Sequence, residues 1–357
     1  MTSKERVLTT FANEQADRVP VNYLANPGID RRLKQHFGLK EEDSEGLLDL
    51  LGVDFREVPV PYKGPKLHAD LAEKGILVDH WGNHRRWVEH STGGYWDYCE
   101  FPLREAEEET VAGWPLPNPD DFDYSGIEAQ CRRWNHCAVA LGNPGLADVI
   151  NSNGMLRGME QTLIDLFTEE PAGLLLAKRR LDIQLEMTRR ALEAAKGGID
   201  LLWLGEDLGT QIAPLISLDL YRSTIRPLHQ PFIDLAKSFG IPVMVHSCGS
   251  SSWVYEDFIE MGVTAVDTLQ PEATNMSPEY LKSKFGGRLA FHGCISTAGP
   301  VAYGTVEETK AICQKTLEIM MPGGGYCFAP THLLQDNSPT ENVLAMYETV
   351  RDLGRYR

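Results

Sequence analysis

We predict an α/β barrel of eight parallel strands, a (β/α)8 fold, for this chain of 357 residues. Three observations support the prediction: one early strand near residue 20, an aromatic region typical of antiparallel hairpins, and a later alternation of strands with long amphipathic helices. An open doubly wound sheet is the alternative. No G-x-G-x-x-G motif follows a predicted strand, however, and the strand count fits a closed barrel better.

The predicted elements follow one another in chain order. Residues 18–23 form the first strand, and residues 28–54 are helical up to Gly52. From about 55 to 115, short aromatic-rich runs predict antiparallel hairpins, which we assign to an insertion laid on the barrel. The later strands are predicted at 137–142, 199–204, 241–246, 263–268, 288–292 and 325–329, with helices such as 160–195, broken near Pro171, and 217–239 between them. We therefore predict a single barrel domain over residues 1–357, with this one insertion.

The composition restricts the classes of function. The net charge of −17 argues against nucleic acid or an anionic membrane surface as the partner, because both favour basic proteins. The seven cysteines are an odd number without a C-x-x-C pair, so neither a disulfide framework nor a structural zinc finger is expected. No run approaches the ~20 apolar residues of a membrane span, and the N-terminus shows no apolar signal-peptide core. We therefore expect a cytoplasmic protein.

Soft ligands and bases stand at the ends of several predicted strands. In a barrel of parallel strands, residues just past the strand C-termini meet at one rim, where active sites are built. His246 and Cys248 are two residues apart at one strand end, so their side chains point to the same side. Because histidine, thiolate and carboxylate suit catalytic zinc, we predict that His246, Cys248 and His332 are metal ligands. Glu206, after another strand, is predicted as a further ligand or as the general base.

Each of these residues also has a structural interpretation. The histidine and cysteine pair could be a core histidine beside a small buried thiol. Asp207 points away from its neighbour Glu206 in an extended segment, and it suits the first turn of a following helix. Cys294 or Cys327 could supply a further thiolate, although Cys327 lies inside a predicted strand. Other polar residues of the predicted site are candidate substrate contacts: Asp54, Gln211, Gln270 and His292.

Three short motifs carry a family resemblance: E-R-V-L at residues 5–8, D-R-V-P-V at 17–21 and P-T-E-N-V at 339–343. Together with the strand ends, they resemble uroporphyrinogen decarboxylase and the corrinoid-dependent methyltransferases that share its barrel. The resemblance covers most of the chain and is strongest from about 150 to 345. It implies a TIM-type barrel of the uroporphyrinogen decarboxylase kind, with a deep cleft at the strand C-termini.

The resemblance is closer to the methyltransferase branch. The decarboxylases have an arginine-rich R-Q-A-G-R segment after the first strand, whereas residues 25–29 read A-N-P-G-I and lack both arginines. The methyltransferases have an H-x-C motif, which His246 and Cys248 match. Their third ligand, usually cysteine, lies nine residues before a Glu-Asn pair, and His332 occupies that position here. Glu206 matches the acidic position after a barrel strand.

The resemblance implies a zinc-dependent methyltransferase. It would move a methyl group between cobalamin and either a thiol or a small O-, S- or N-methylated substrate. The chain has no D-x-H-x-x-G cobalamin-binding signature, so the cobalamin would be carried by a separate corrinoid protein. A metal-free decarboxylase and a binding protein on an enzyme fold are the alternatives. Zinc content that is lost on His246→Ala would separate the first function from the other two.

Overall fold

The computed structural model describes residues 1–90 and 93–356, which contain ten strands and fifteen helices. The strands are β1 (Phe55–Val58), β2 (Ile76–Val78), β3 (His84–His90), β4 (Gly93–Tyr98), β5 (Ala138–Gly142), β6 (Leu201–Gly205), β7 (Val243–Ser247), β8 (Ala265–Thr268), β9 (Ala290–Ile295) and β10 (Tyr326–Pro330). The helices are α1 (Ser3–Phe11), α2 (Pro27–His36), α3 (Ser44–Leu51), α4 (Glu108–Gly113), α5 (Ile127–Arg133), α6 (Ile150–Arg157), α7 (Met159–Thr168), α8 (Pro171–Ala195), α9 (Leu218–Leu220), α10 (Arg226–Ser238), α11 (Tyr255–Met261), α12 (Pro278–Phe285), α13 (Pro300–Tyr303), α14 (Val306–Met320) and α15 (Thr340–Leu353). Short 3-10 or π turns cover Ala72–Lys74, Pro119–Asp121, Tyr221–Ile225 and Ser252–Val254.

Seven strands form one parallel sheet in the order β1-β5-β6-β7-β8-β9-β10. Residues near Val21 close this sheet into a barrel. Val21 pairs in parallel with Phe328 of β10, and the Asn22 N–H donates to the Phe328 carbonyl at 3.0 Å. On the other side, the N–H of Asp54, directly before β1, donates to the Val21 carbonyl at 2.8 Å. This segment takes the place of an eighth strand, so the predicted barrel fold is confirmed.

Strand β1 corrects the predicted start of the insertion. We assigned residues from about 55 onward to antiparallel hairpins, but β1 pairs in parallel with β5 and belongs to the barrel. The prediction rested on the short aromatic-rich runs of the whole region. In the structure, Arg56 of β1 is buried against α3, where it pairs with Glu45 and Asp49. The antiparallel sheet has the order β2-β3-β4 and begins only at Ile76.

Local sequence signals explain where the helices begin and end. At the start of α1, the Thr2 hydroxyl accepts from the Glu5 N–H, and the Glu5 carboxylate accepts from the Thr2 N–H. Gly52, in the left-handed region at φ 72°, ends α3. Pro171 begins α8 and separates it from α7, as predicted. The predicted strands after residue 130 are all present, with their ends shifted by at most three residues.

The main hydrophobic core joins the barrel strands to the surrounding helices and extends from Val7 to Val350. A smaller buried cluster joins α4, α6 and α8 beside the antiparallel sheet: Leu103, Val111, Leu156, Ala172 and Leu176. Among the described residues, no helix has the length and apolar character that a membrane span requires. The packed barrel therefore supplies a rigid frame for the side chains at the strand C-termini.

Candidate metal centre

Three potential metal ligands meet at the C-terminal ends of β6 and β7. Asp207 follows β6 by two residues, His246 lies in β7, and Cys248 directly follows β7. Each offers one ligand atom, and these atoms all lie within 4.8 Å of one another. The Cys248 Sγ is 3.3 Å from the His246 Nε2, which is 3.7 Å from the Asp207 Oδ1. We call these three residues the rim cluster.

Backbone contacts hold the loop that carries Cys248. The Cys248 N–H donates to the Asp207 carboxylate at 2.8 Å, and the next N–H, of Gly249, donates to the Gln270 Oε1 at 2.8 Å. Gly249 has φ 69°, and a Cβ there would lie 2.3 Å from the carbonyl oxygen of Gly209. Only glycine fits this turn without strain, so the glycine after the cysteine places the thiol at the rim.

A carboxylate behind His246 fixes the orientation of its ring. The His246 Nδ1 lies 2.7 Å from the Asp267 Oδ2, while the other oxygen of Asp267 lies 2.6 Å from the Nδ1 of His292. The His292 Nε2 in turn lies 3.1 Å from the Asn22 Nδ2. This hydrogen-bonded chain crosses the barrel interior. With Asp267 bound to Nδ1, the His246 Nε2 is the nitrogen that faces Cys248.

The electrostatics of these hydrogen-bonded residues favour the charged forms of His246 and Asp267. Burial disfavours the protonated form of His246, but Asp267 and Cys248 outweigh it and raise the pKa of His246. Burial alone would raise the pKa of Asp267, but the two histidines outweigh it and hold that pKa well below its usual range. Asp267 is therefore a buried anion that stabilises positive charge on the rim side of His246.

The backbone is strained where β8 ends beside His246. Thr268 has φ 85° and the following Leu269 has φ 55°. A positive φ is rare for a β-branched residue such as threonine. This strained residue lies next to the rim cluster, because the Thr268 Oγ1 is 2.7 Å from the His246 Nδ1. Strained residues of this kind gather at functional sites.

Glu206, predicted as ligand or base, lies outside the rim cluster. Its carboxylate is fully buried and accepts from the N–H groups of Val149 at 2.8 Å and Ile150 at 2.9 Å, and it contacts the Nε2 of His229 at 3.2 Å. Burial raises the pKa of Glu206 to about 8. The adjacent Asp207 points the other way and occupies the position that we predicted for Glu206.

Of the four predicted substrate contacts, Gln211 and Gln270 lie near the rim cluster, His292 lies beneath it, and Asp54 lies at the opposite end of the barrel. The Gln211 Nε2 donates to the Gln270 Oε1 at 3.1 Å, so these two lie together beside the Cys248 loop. His292 is fully buried beneath the cluster, where it contacts Asp267 rather than the open rim.

Asp54 requires a correction, because it precedes β1 and therefore lies at the N-terminal end of the barrel. There its buried carboxylate pairs with Arg6 and Arg18, each at 2.7 Å. Buried polar contacts at that end of a barrel serve stability, whereas active sites lie at the opposite end. Asp54 is accordingly a structural ion-pair residue.

The remaining candidate ligands differ in their access to the rim. His332 is exposed in the loop after β10, outside the group within 4.8 Å, and its Nδ1 lies 3.4 Å from the Gln335 Nε2. Partial desolvation of its ring, followed by the charge of His246, lowers the pKa of His332. Cys294 and Cys327 are both buried, and burial raises the pKa of each thiol.

Sequence reasoning missed two acids of this site. Asp207 was considered beside Glu206 but was not chosen, because it also suited the first turn of a following helix, and Asp267 was not singled out. The signal for Asp267 was nevertheless present, because it is a carboxylate at the end of a predicted strand, the same pattern that pointed to Glu206 and His246.

The fold and the rim cluster define a parallel α/β barrel with a histidine, cysteine and carboxylate group at the end where barrel enzymes carry their sites. Residues 145–353 match the family described as uroporphyrinogen decarboxylase (URO-D). The chain belongs to this family. No curated protein matches it.

The solved structures that the chain matches include a methyltransferase and a xylanase. A methyltransferase from Methanosarcina mazei has a TM-score of 0.65 and 17% sequence identity, and the match covers 99% of both chains. At this identity the likeness shows the fold. Native xylanase 10B from Thermotoga maritima has a TM-score of 0.39 and 14% sequence identity, and the match covers 66% of this chain and 82% of the xylanase. This likeness is too weak to indicate a shared function.

Proposed function

We propose that this protein is a zinc-dependent methyltransferase that works with a separate corrinoid protein. It would move a methyl group between the cobalamin of that partner and either a thiol or a small O-, S- or N-methylated substrate. The observation that carries the proposal is the rim cluster, in which a histidine nitrogen, a thiol sulfur and a carboxylate oxygen lie within 4.8 Å of one another. The methyltransferase likeness of the whole fold supports it.

The donor set and its spacing fit zinc. Zinc bonds of about 2.0–2.3 Å place neighbouring tetrahedral ligands roughly 3.3–3.8 Å apart. The distances of 3.3 Å and 3.7 Å within the rim cluster agree with this spacing. Asp267 behind His246 is the carboxylate partner that metal-bound histidines usually have. When bound, zinc would supply a Lewis acid that lowers the pKa of a substrate thiol or polarises a leaving oxygen.

The chain's own residues would have distinct roles. His246 and Cys248 are the predicted ligands that lie closest together, Asp207 adds a carboxylate, and His332 remains the candidate for a further ligand. Gln211 and Gln270, joined beside the Cys248 loop, are placed to contact a substrate held at the rim. Glu206, held by two backbone N–H groups, would keep the start of α6 against the end of β6.

A metal-free decarboxylase of the uroporphyrinogen decarboxylase type is the second candidate, and the family match over residues 145–353 favours it. The two candidates differ in their need for metal. Such a decarboxylase would keep its activity after chelation, whereas the methyltransferase would lose it.

Zinc analysis of the purified protein tests the proposal. We expect about one zinc per chain in the wild type, loss of zinc in His246→Ala, and retention of zinc in the control His136→Ala, whose histidine is exposed and remote from the rim. With methylcobalamin and 2-mercaptoethanol as probes, the wild type should speed formation of cob(I)alamin and the methyl thioether. Substoichiometric zinc in the wild type, or equal rates with His246→Ala, would refute the proposal.

Asp267→Asn is expected to weaken zinc binding by ~10–100-fold, since carboxylates that support ligand histidines typically contribute that much. The substitution keeps the shape of the side chain but removes the charge that holds the His246 ring. Competition with a chromophoric chelator measures the affinity, and Glu256→Gln, which alters an exposed pair with Arg288, is the control. Unchanged affinity in Asp267→Asn would show that the carboxylate does not orient a metal ligand.

A further inference from the structure

A cavity of about 730 Å³ lies between the antiparallel sheet and the barrel, where β1, β5 and α8 meet. Ligand pockets for small molecules commonly have volumes of ~300–1,000 Å³. Aromatic and methionine side chains form much of its wall: Tyr62, Trp81, Tyr98, Phe122, Met155 and Met187. None of the three rim-cluster residues lines this cavity, which lies beside the C-terminal ends of β1 and β5.

Arg180 of α8 lines the cavity and is 3% exposed. Its guanidinium lies 5.2 Å from the centre of the Trp81 ring, and its Nη1 donates to the carbonyl of Ser152. Its Nε is buried and has no hydrogen-bond partner among the described residues. No carboxylate in the described part of the chain pairs with Arg180 within 4.0 Å. The cavity therefore contains a buried cation whose hydrogen bonding is incomplete.

The neighbouring acids are engaged elsewhere. Asp79 accepts from Asn83 and from the Arg85 Nη2, at 3.0 Å and 3.3 Å. Asp148 accepts from the N–H of Ser152 at 2.6 Å, and burial with the nearby Glu206 raises its pKa well above the usual range. Asp148 therefore binds the backbone of α6 rather than the guanidinium of Arg180.

The cavity wall nearest the barrel interior contains one more acid. Glu57 of β1 lines the cavity, and burial, followed by the charge of Asp267, raises its pKa. Burial also lowers the pKa of Arg180, but only to about 10, so its guanidinium stays charged at neutral pH. Arg180 is therefore a charged and nearly buried group of the cavity wall, while Glu57 on the same wall is an exposed acid.

We propose that this cavity binds a small aromatic carboxylate, with Arg180 contacting the carboxylate and the aromatic wall packing on the ring. Burying a cation without an anion is costly, and a planar guanidinium matches a carboxylate with two parallel hydrogen bonds. Flat apolar side chains around it favour a ring over an aliphatic chain. The inference does not depend on a metal at the rim cluster or on methyl transfer.

Calorimetric titration with benzoate, benzamide and acetate tests the pocket. The wild type should bind benzoate, and both benzamide, which lacks the charge, and acetate, which lacks the ring, should bind at least ~10-fold more weakly. Arg180→Gln should bind benzoate at least ~10-fold more weakly, while Arg189→Gln, an exposed arginine on the same helix, should bind it like the wild type.

Met187→Trp provides a second variant if Arg180→Gln does not fold. It fills the cavity with a bulkier side chain and keeps the arginine, so it should also reduce benzoate binding by at least ~10-fold. Zinc content should stay at its wild-type value in both variants. Failure of the wild type to bind benzoate at millimolar concentration, equal binding of benzamide, or wild-type benzoate binding in the folded variants would each overturn the proposal.

Discussion

Cys248→Ser is expected to bind zinc at least ~100-fold more weakly than the wild type. A serine hydroxyl is not ionised near neutral pH and is a poor zinc ligand, whereas a thiolate binds strongly. Loss of a supporting residue alone typically costs ~10–100-fold in affinity, so loss of a direct ligand should cost at least the upper value. Zinc titration under reducing conditions, with a competing chelator, measures the effect.

Two further variants make this test specific. Cys99→Ser changes a half-buried cysteine away from the rim cluster and should leave zinc affinity unchanged. His332→Cys restores the thiolate found in the methyltransferases that this chain resembles, so it should keep or increase the affinity. Equal zinc affinities for Cys248→Ser and the wild type would return Cys248 to its structural interpretation, a small half-buried thiol beside a histidine.

Asp54→Asn is expected to lower the free energy of unfolding by ~3–5 kcal/mol, the usual cost of removing one partner of a buried ion pair. The carboxylate is fully buried, pairs with Arg6 and Arg18 at 2.7 Å each, and also accepts from the Val21 N–H at 2.8 Å. An amide cannot satisfy both guanidinium groups. These contacts join α1 and the barrel-closing segment to β1, so urea denaturation should show a clearly lower midpoint.

Asp182→Asn is the matched control, because Asp182 pairs with Lys178 on the exposed face of α8. Exposed pairs of this kind contribute ~0–1 kcal/mol, so its urea midpoint should stay close to that of the wild type. If Asp54→Asn were as stable as the wild type but lost activity, the original prediction of Asp54 as a substrate contact would be restored.

The sequence determined the strand–helix order and the part of the site that depends on local geometry. Uninterrupted apolar runs such as the one before His246 specify buried parallel strands wherever they pack. The two-residue spacing of His246 and Cys248 puts both side chains on one side of an extended segment, so this pair could be predicted from two positions alone. The glycine after Cys248 likewise signals a turn that only glycine can make.

Only the tertiary structure decided which acids join that pair. Adjacent residues at a strand end point to opposite sides, and the packing of α6 against β6 buries Glu206 and leaves Asp207 at the rim. Asp267 becomes the partner of His246 because β7 and β8 are neighbours, with these residues paired in register.

The direction of β1 was also decided by the assembled barrel. A sequence pattern gives the period of a strand but not its neighbours, so Phe55–Val58 could be read as part of a hairpin until its pairing with β5 was known. That pairing places Asp54 at the N-terminal end, among arginines, and far from the strand C-termini where the rim cluster lies. Side-chain period is a local property of the chain, whereas register and strand direction are set by long-range hydrogen bonds and packing.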